Sequence, residues 1–176
     1  MDDFNLRQKA APSEPANIPL RNQTVAKKSA GILLYRKTGD DLQVLLVHPG
    51  GPFWRNKDLS TWSIPKGEYG EDEEPESTAR REFTEETGLV LDGKLQPLGT
   101  IRQAGGKLVT GFAVEGDFDV AGLVSNSFEI EWPPRSGHKE IFPEVDRAEW
   151  FSLAAAHEKI IAGQRPLLDR LEELLR

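Results

Sequence analysis

This chain of 176 residues contains no cysteine, which excludes disulfides, thiolate metal sites and a cysteine nucleophile. It has no long hydrophobic run: its longest apolar stretches resemble Ile32-Leu33-Leu34 and Val44-Leu45-Leu46-Val47. A membrane-spanning helix needs roughly 20 such residues, so none is expected. The start, Met1-Asp2-Asp3, lacks the basic region and apolar core of a secretory signal. A cytoplasmic protein is the expectation. Positive charge is also short, with 22 Lys and Arg against 29 Asp and Glu and a net charge of −7. Such a balance argues against stable binding to a nucleic-acid backbone, which requires a cationic surface.

The deficit is concentrated in one place. Between Glu68 and Glu86, nine acids (Glu68, Glu71, Asp72, Glu73, Glu74, Glu76, Glu82, Glu85 and Glu86) face two bases, Arg80 and Arg81, which equals the entire imbalance. The rest of the chain is neutral. With 38% hydrophobic and 29% charged residues, the composition is that of a globular domain with enough length to bury its own core.

Residues 1–26 carry Pro12, Pro15 and Pro19 and show no sustained periodicity, so they read as a flexible tail with Ile18 and Leu20 as its docking residues. Residues 27–176 read as a single domain. Ser29–Arg36 and Leu42–Val47, joined by Gly39-Asp40-Asp41, predict a β-hairpin. Pro49, Gly50, Gly51 and Pro52 then break regularity, Phe53 to Thr61 read as a loop, and Trp62-Ser63-Ile64 as a short strand. Pro75-Glu76 suits a first helical turn, helix formers follow to Thr87, and Gly88 is a natural stop. Further strands are expected over Leu95–Gln103, Leu108–Glu115, Ser127–Trp132 and Ala148–Phe151, and a C-terminal helix from the spacing of Leu167, Leu168, Leu171, Leu174 and Leu175. Strands outnumber helices and are mostly consecutive, which favours an α+β fold.

Glu82, Glu85 and Glu86 stand at i, i+3 and i+4, so their carboxylates share one helix face beside the apolar residues Ala79 and Phe83. Like charges there repel and raise one another's pKa, and a hard divalent cation held through oxygen ligands would relieve them. Arg81, four residues before Glu85, is placed to hold a carboxylate. Spacing alone leaves a solvated acidic helix open as the other reading.

The wider pattern is more specific. From Gly67 the chain reads GEYGEDEEPESTARREFTEETGL, with Gly67, Glu73, Arg81-Glu82, Glu85-Glu86 and Gly88 at fixed intervals. This resembles the Nudix box of the Nudix hydrolase family at all seven of its fixed Gly, Glu and Arg positions. Phe83 stands where the family usually has an aliphatic residue. Trp62-Ser63-Ile64-Pro65-Lys66-Gly67 is similar to the segment entering the box in many relatives, and Pro143 to Leu153 to the family's late strand and helix. The likeness spans residues 28–165. It implies a Nudix fold, in which a mixed β-sheet is sandwiched between helices.

The resemblance also implies a reaction: hydrolysis of a pyrophosphate bond in a nucleoside diphosphate linked to another moiety, with Mg²⁺ or Mn²⁺. Metal ligands would be Glu82, Glu85, Glu86 and the backbone carbonyl of Lys66. Arg81 would orient the carboxylates, Glu73 would pair with Arg81 or bind a water, and Gly67 and Gly88 would permit turns at the two ends of the helix. Candidates for the general base are Glu144, then Glu140, with Glu85 itself also open. Trp54 and Phe53 would either stack on a base or cover the core. Arg55, Lys57, Lys66, Arg102 and Lys107 are candidate phosphate partners, His48 is expected to be structural, and His138 lies in a loop that could reach a ligand.

The resemblance implies a nucleotide-type small-molecule substrate: a (di)nucleoside polyphosphate or nucleoside triphosphate first, an ADP-sugar or diphosphoinositol polyphosphate second. The tyrosine that dinucleoside polyphosphate hydrolases place past the box is missing, since the only tyrosines are Tyr35 and Tyr69. The proline typical of ADP-ribose hydrolases is missing as well. A Nudix-fold module that senses a nucleotide without turnover is the rival class, and a monomer or homodimer is expected.

Overall fold

The structure, a computed structural model, describes residues 25–176. The tail expected over residues 1–26, with Ile18 and Leu20, lies outside the described residues apart from Val25 and Ala26. The sheet is organised by β1 (Lys28–Thr38), in which every residue from Ser29 to Tyr35 is buried. Burial on both faces demands apolar side chains of both parities, and Ala30, Ile32 and Leu34 serve one core cluster while Leu33 and Tyr35 serve the other.

One side of β1 pairs in parallel with β5 (Leu108–Glu115). The other side is shared: its first residues pair with β3 (Lys66–Tyr69) and its last with β2 (Asp41–Pro49), both antiparallel. β4 (Gln96–Arg102) and β8 (Val145–Ser152) complete a sheet of order β4-β5-β1-β2-β8, while β6 (Ser127–Glu131) and β7 (Lys139–Pro143) form a separate two-stranded ribbon. The expected hairpin and the strand Leu108–Glu115 are present. Two strands, β3 and β7, fall where no strand was expected. The segment Trp62–Ile64 makes only isolated bridges, Ser63 with Val47 and Trp62 with Ile160, because Pro65 ends its pairing.

Helix α1 (Pro75–Thr87) covers one face, burying Ala79 and Phe83 against Ile32, Leu45, Phe112 and Val145. It begins with Pro75 in its first turn and ends at Gly88, whose φ of 84° is the left-handed conformation that glycine adopts without strain. On the opposite face, α2 (Leu153–Lys159) and α3 (Arg165–Leu174) pack Ala156, Leu167, Leu168 and Leu171 against Leu33, Val44, Trp62 and Val109. The result is a mixed sheet between helices, as the sequence implied. Gln164, buried ahead of α3, accepts a hydrogen bond from Ile64 N–H at 3.0 Å and donates to Gln103 at 2.9 Å, tying the segment that enters β3 to the far helix layer.

Candidate active site

The carboxylate-bearing face of α1 lies over β3. Contact between them is close because Gly67 has no side chain: a Cβ there would come within 1.9 Å of Glu82 Cδ. This differs from the expected role of Gly67. It lies inside β3, well before the helix starts at Pro75, so it serves close approach to Glu82 and not a turn. One residue earlier, the Lys66 backbone N–H donates to Glu86 Oε2 at 3.2 Å. Glu82 and Glu86 therefore meet the backbone of Lys66-Gly67 from α1.

Arg81 supplies the nearest compensating charge. Its Nη1 donates to Glu82 at 2.7 Å and approaches both oxygens of Glu85 at 3.4 Å, while its Nη2 is 3.5 Å from Glu73 Oε1. Glu73 accepts a second bond from the Gly70 N–H at 2.9 Å, so it braces both the loop before α1 and the guanidinium. Burial raises the Glu82 carboxyl above its ordinary range; Arg81 opposes this, and the neighbouring Glu85 and Glu144 add to it. Burial pushes Glu86 up to about 8, against the attraction of Lys66, with Glu82 and Glu144 reinforcing the rise. Burial likewise lowers the Lys66 ammonium, which Glu86 and Glu82 hold up in turn. Among the described residues, no three Asp, Glu or His side chains are already gathered about one point. Arg81 stands between Glu82 and Glu85, and Lys66 faces Glu86.

Glu144 belongs to this group, since its charge acts on both Glu82 and Glu86. A chain of backbone bonds fixes its position. Asn126 N–H donates to Glu85 O at 2.8 Å, Glu144 N–H to Asn126 O at 2.8 Å, and Gly50 N–H to Glu144 O at 2.9 Å. At Gly50 a Cβ would stand 1.9 Å from the Pro143 carbonyl oxygen, so only glycine lets β2 end against this segment. Neither Gly50 nor Asn126 was singled out from the sequence. Gly50 registered only as part of a break, although two glycines between prolines were a usable signal. Asn126 acts through its backbone, which leaves no side-chain signature. Glu140, by contrast, lies in β7 opposite Ile130, away from this chain of bonds.

The remaining candidates are more dispersed. Phe53 and Trp54 are exposed, at 59% and 41%, so neither covers the core. Phe53 meets Trp132 edge-on at 5.2 Å, and Lys57 Nζ lies 4.8 Å above the Trp54 ring. Arg55 is exposed in the same loop. Arg102, at the end of β4, lines a hollow of about 440 Å³ with Lys27, Lys107, Gly105 and Gly106. Glu68 ties Lys107 and Lys27 together at 3.2 and 3.5 Å, and the charge of Lys107 reaches Lys66. His138 is exposed beside the β6–β7 ribbon. His48, expected to be structural, is fully buried.

Residues 26–171 match the family described as NUDIX domain. The chain belongs to the Nudix family. Among solved structures it is similar to the NUDIX domain of Shewanella oneidensis NrtR complexed with ADP ribose, at 22% identity and a TM-score of 0.60, covering 92% of this chain and 96% of that one. It is also similar to a Caenorhabditis elegans Ap4A hydrolase in a binary complex, at 21% identity and a TM-score of 0.57, covering 84% and 97%. A MutT protein from Methanosarcina mazei Go1 has 19% identity and a TM-score of 0.54, covering 86% and 96%. No curated protein matches. No helix among the described residues is long and apolar enough to cross a membrane.

Proposed function

We propose that the chain hydrolyses a pyrophosphate bond in a (di)nucleoside polyphosphate or nucleoside triphosphate, with Mg²⁺ or Mn²⁺ as its metal. The observation that carries this reading is the approach of Glu82 and Glu86 to the Lys66-Gly67 backbone, with Glu85 linked to Glu82 through Arg81. The donor set fits a hard divalent cation: all its groups are oxygens, and the two buried carboxyls hold protons more tightly than exposed ones do. Glu82, Glu85, Glu86 and the Lys66 carbonyl would hold the metal. When bound, it supplies charge neutralisation at phosphate oxygens and a more acidic water.

The chain's own residues do the rest. Glu144 accepts the proton of the attacking water, and such a base contributes about 10²–10⁴-fold. Arg81, whose Nη2 is also 3.5 Å from Glu73, would be held by Glu73 when Glu82 and Glu85 serve a metal. Lys66, Arg55 and Arg102 meet phosphate oxygens, and Trp54 offers an exposed ring to a base. The cationic hollow of Lys27, Arg102 and Lys107 favours a phosphate-rich substrate, a diphosphoinositol polyphosphate included, over an ADP-sugar.

Phosphate release from nucleoside triphosphates, dinucleoside polyphosphates, ADP-sugars and diphosphoinositols, with and without Mg²⁺, tests the proposal. The phosphate-rich members should be cleaved only with metal, and Glu85→Gln and Glu86→Gln should lose that activity. Equal rates in wild type and both variants across the panel would sink the reading.

A further inference from the structure

His48 lies at the end of β2, with no exposed surface, edge-on to Trp62 at 5.1 Å. Its Nδ1 is 2.8 Å from Asp146 Oδ1, and its Nε2 is 2.7 Å from the Lys57 carbonyl oxygen. Both partners are acceptors. A neutral imidazole carries one N–H and one lone pair, so it satisfies only one of them, whereas an imidazolium donates to both. The charged groups around it come from three elements. β8 contributes Asp146 and Arg147, the latter 3.7 Å from the Asp146 carboxylate and 5.1 Å above the Trp62 ring. The 51–61 loop contributes Asp58, which accepts from Trp62 Nε1 at 2.9 Å, and Lys57, whose ammonium is turned to Trp54. The end of α2 contributes Lys159, paired with Asp58. The Asp146 carboxylate is therefore the negative group in direct contact with the ring.

The two bonds join two parts of the candidate site. Lys57 belongs to the loop that presents Phe53, Trp54 and Arg55. Asp146 stands two residues after Glu144, in the segment gripped by Gly50. We infer that His48 is a positioning residue that locks the 51–61 loop to the segment carrying Glu144. What it positions for catalysis rests on the hydrolase reading above; the mechanical link does not.

The test joins NMR with kinetics. Asp146→Asn replaces the carboxylate with an amide that can donate to Nδ1, so the bridge survives and the 51–61 loop should keep its amide protection. His48→Phe should speed amide exchange at Lys57 and Trp54 together with Gly50 and Glu144. With the best substrate of the panel, it should lower kcat on the order of ten- to hundredfold and raise KM. A merely structural loss would reduce the active fraction and leave KM unchanged.

Unchanged exchange at Gly50 and Glu144 in His48→Phe overturns the inference. If His48→Phe does not fold, Asp146→Ala, which cuts the bridge at its other end, decides: it should speed exchange at the same amides, and unchanged exchange there overturns the inference too. Failure of the hydrolase reading would appear separately, as a wild type inactive on the whole panel with these NMR results intact.

Discussion

The carboxyl group of Glu82 occupies the space in which a side chain on Gly67 would begin, with only 1.9 Å between Glu82 Cδ and a Cβ built there. The helix and the strand it covers are thus in register through one missing methyl group. Gly67→Ala must displace either Glu82 or β3. Because Glu82 is the side chain that moves more easily, the fold should survive. Metal-dependent activity should fall about 100-fold, the scale expected when a reacting group shifts by roughly 1 Å. Steady-state kinetics beside a melting curve would check this, and a variant with wild-type kcat would refute it.

Glu86 should make the metal-free protein less stable as pH rises. Its carboxyl is pushed up to about 8 from an ordinary 4.5, so between those values the folded state keeps a proton that the unfolded state has lost. Stability contributed by that proton is complete below about pH 4.5 and is lost as pH climbs through about 8. Melting temperatures in chelator should therefore decline over this window, and Glu86→Gln should flatten the decline. Identical slopes for the two proteins would argue against a buried, protonated Glu86.

Divalent metal should reverse that trend. Mg²⁺ competes with the proton at Glu86 and Glu82, so the melting temperature should rise more with Mg²⁺ at pH 8 than at pH 6. Glu86→Gln should respond less than wild type at either pH. Thermal shifts of equal size in both proteins would remove these carboxylates from the ligand set.

Gly50→Ala tests the hold on Glu144 from the other side. The added methyl would stand 1.9 Å from the Pro143 carbonyl oxygen, and backbone yields less readily than a side chain. A destabilisation of about 1–3 kcal/mol is expected, together with a lower kcat and an unchanged Mg²⁺-induced thermal shift. Denaturant titration and the metal shift measure the two effects separately.

Phe83, fully buried between α1 and the sheet, should behave as core and not as chemistry. Phe83→Ala should cost about 3–5 kcal/mol, whereas Phe83→Leu, closer in volume, should cost about 1 kcal/mol. Both should retain KM, as measured on folded protein.

Much of this arrangement was legible in the sequence because local rules govern it. Helix α1 has Pro75 at its start and Gly88 in left-handed conformation at its end, and its Glu82, Glu85 and Glu86 follow from helical periodicity. Strand β5 was readable as an apolar run. The parts that were not legible are held by other parts of the chain. β3 reads as a loop, since Lys66-Gly67-Glu68-Tyr69 has little strand propensity; it is a strand because β1 offers it an open edge. β7 is similarly induced by β6. The roles of Gly67 and Gly50 depend on what approaches them, Glu82 in one case and Pro143 in the other, and a spacing rule cannot show that. The two acceptors of His48 are likewise distant in sequence from one another.

The placement of β8 sets a schedule for the molecule. Its pairing with β2 joins Val47 to Ala148 and Leu46 to Glu149 across most of the chain, and that pairing brings Glu144 to Gly50. Contacts between such distant residues carry a large loop-closure cost and form late. During synthesis, α1 and β3 can dock on β1 while the strand that completes the site has yet to be made. The nascent chain would then hold its acidic cradle before Glu144, the proposed base, is fixed beside it, and the proposed hydrolysis would have to wait for the last strand.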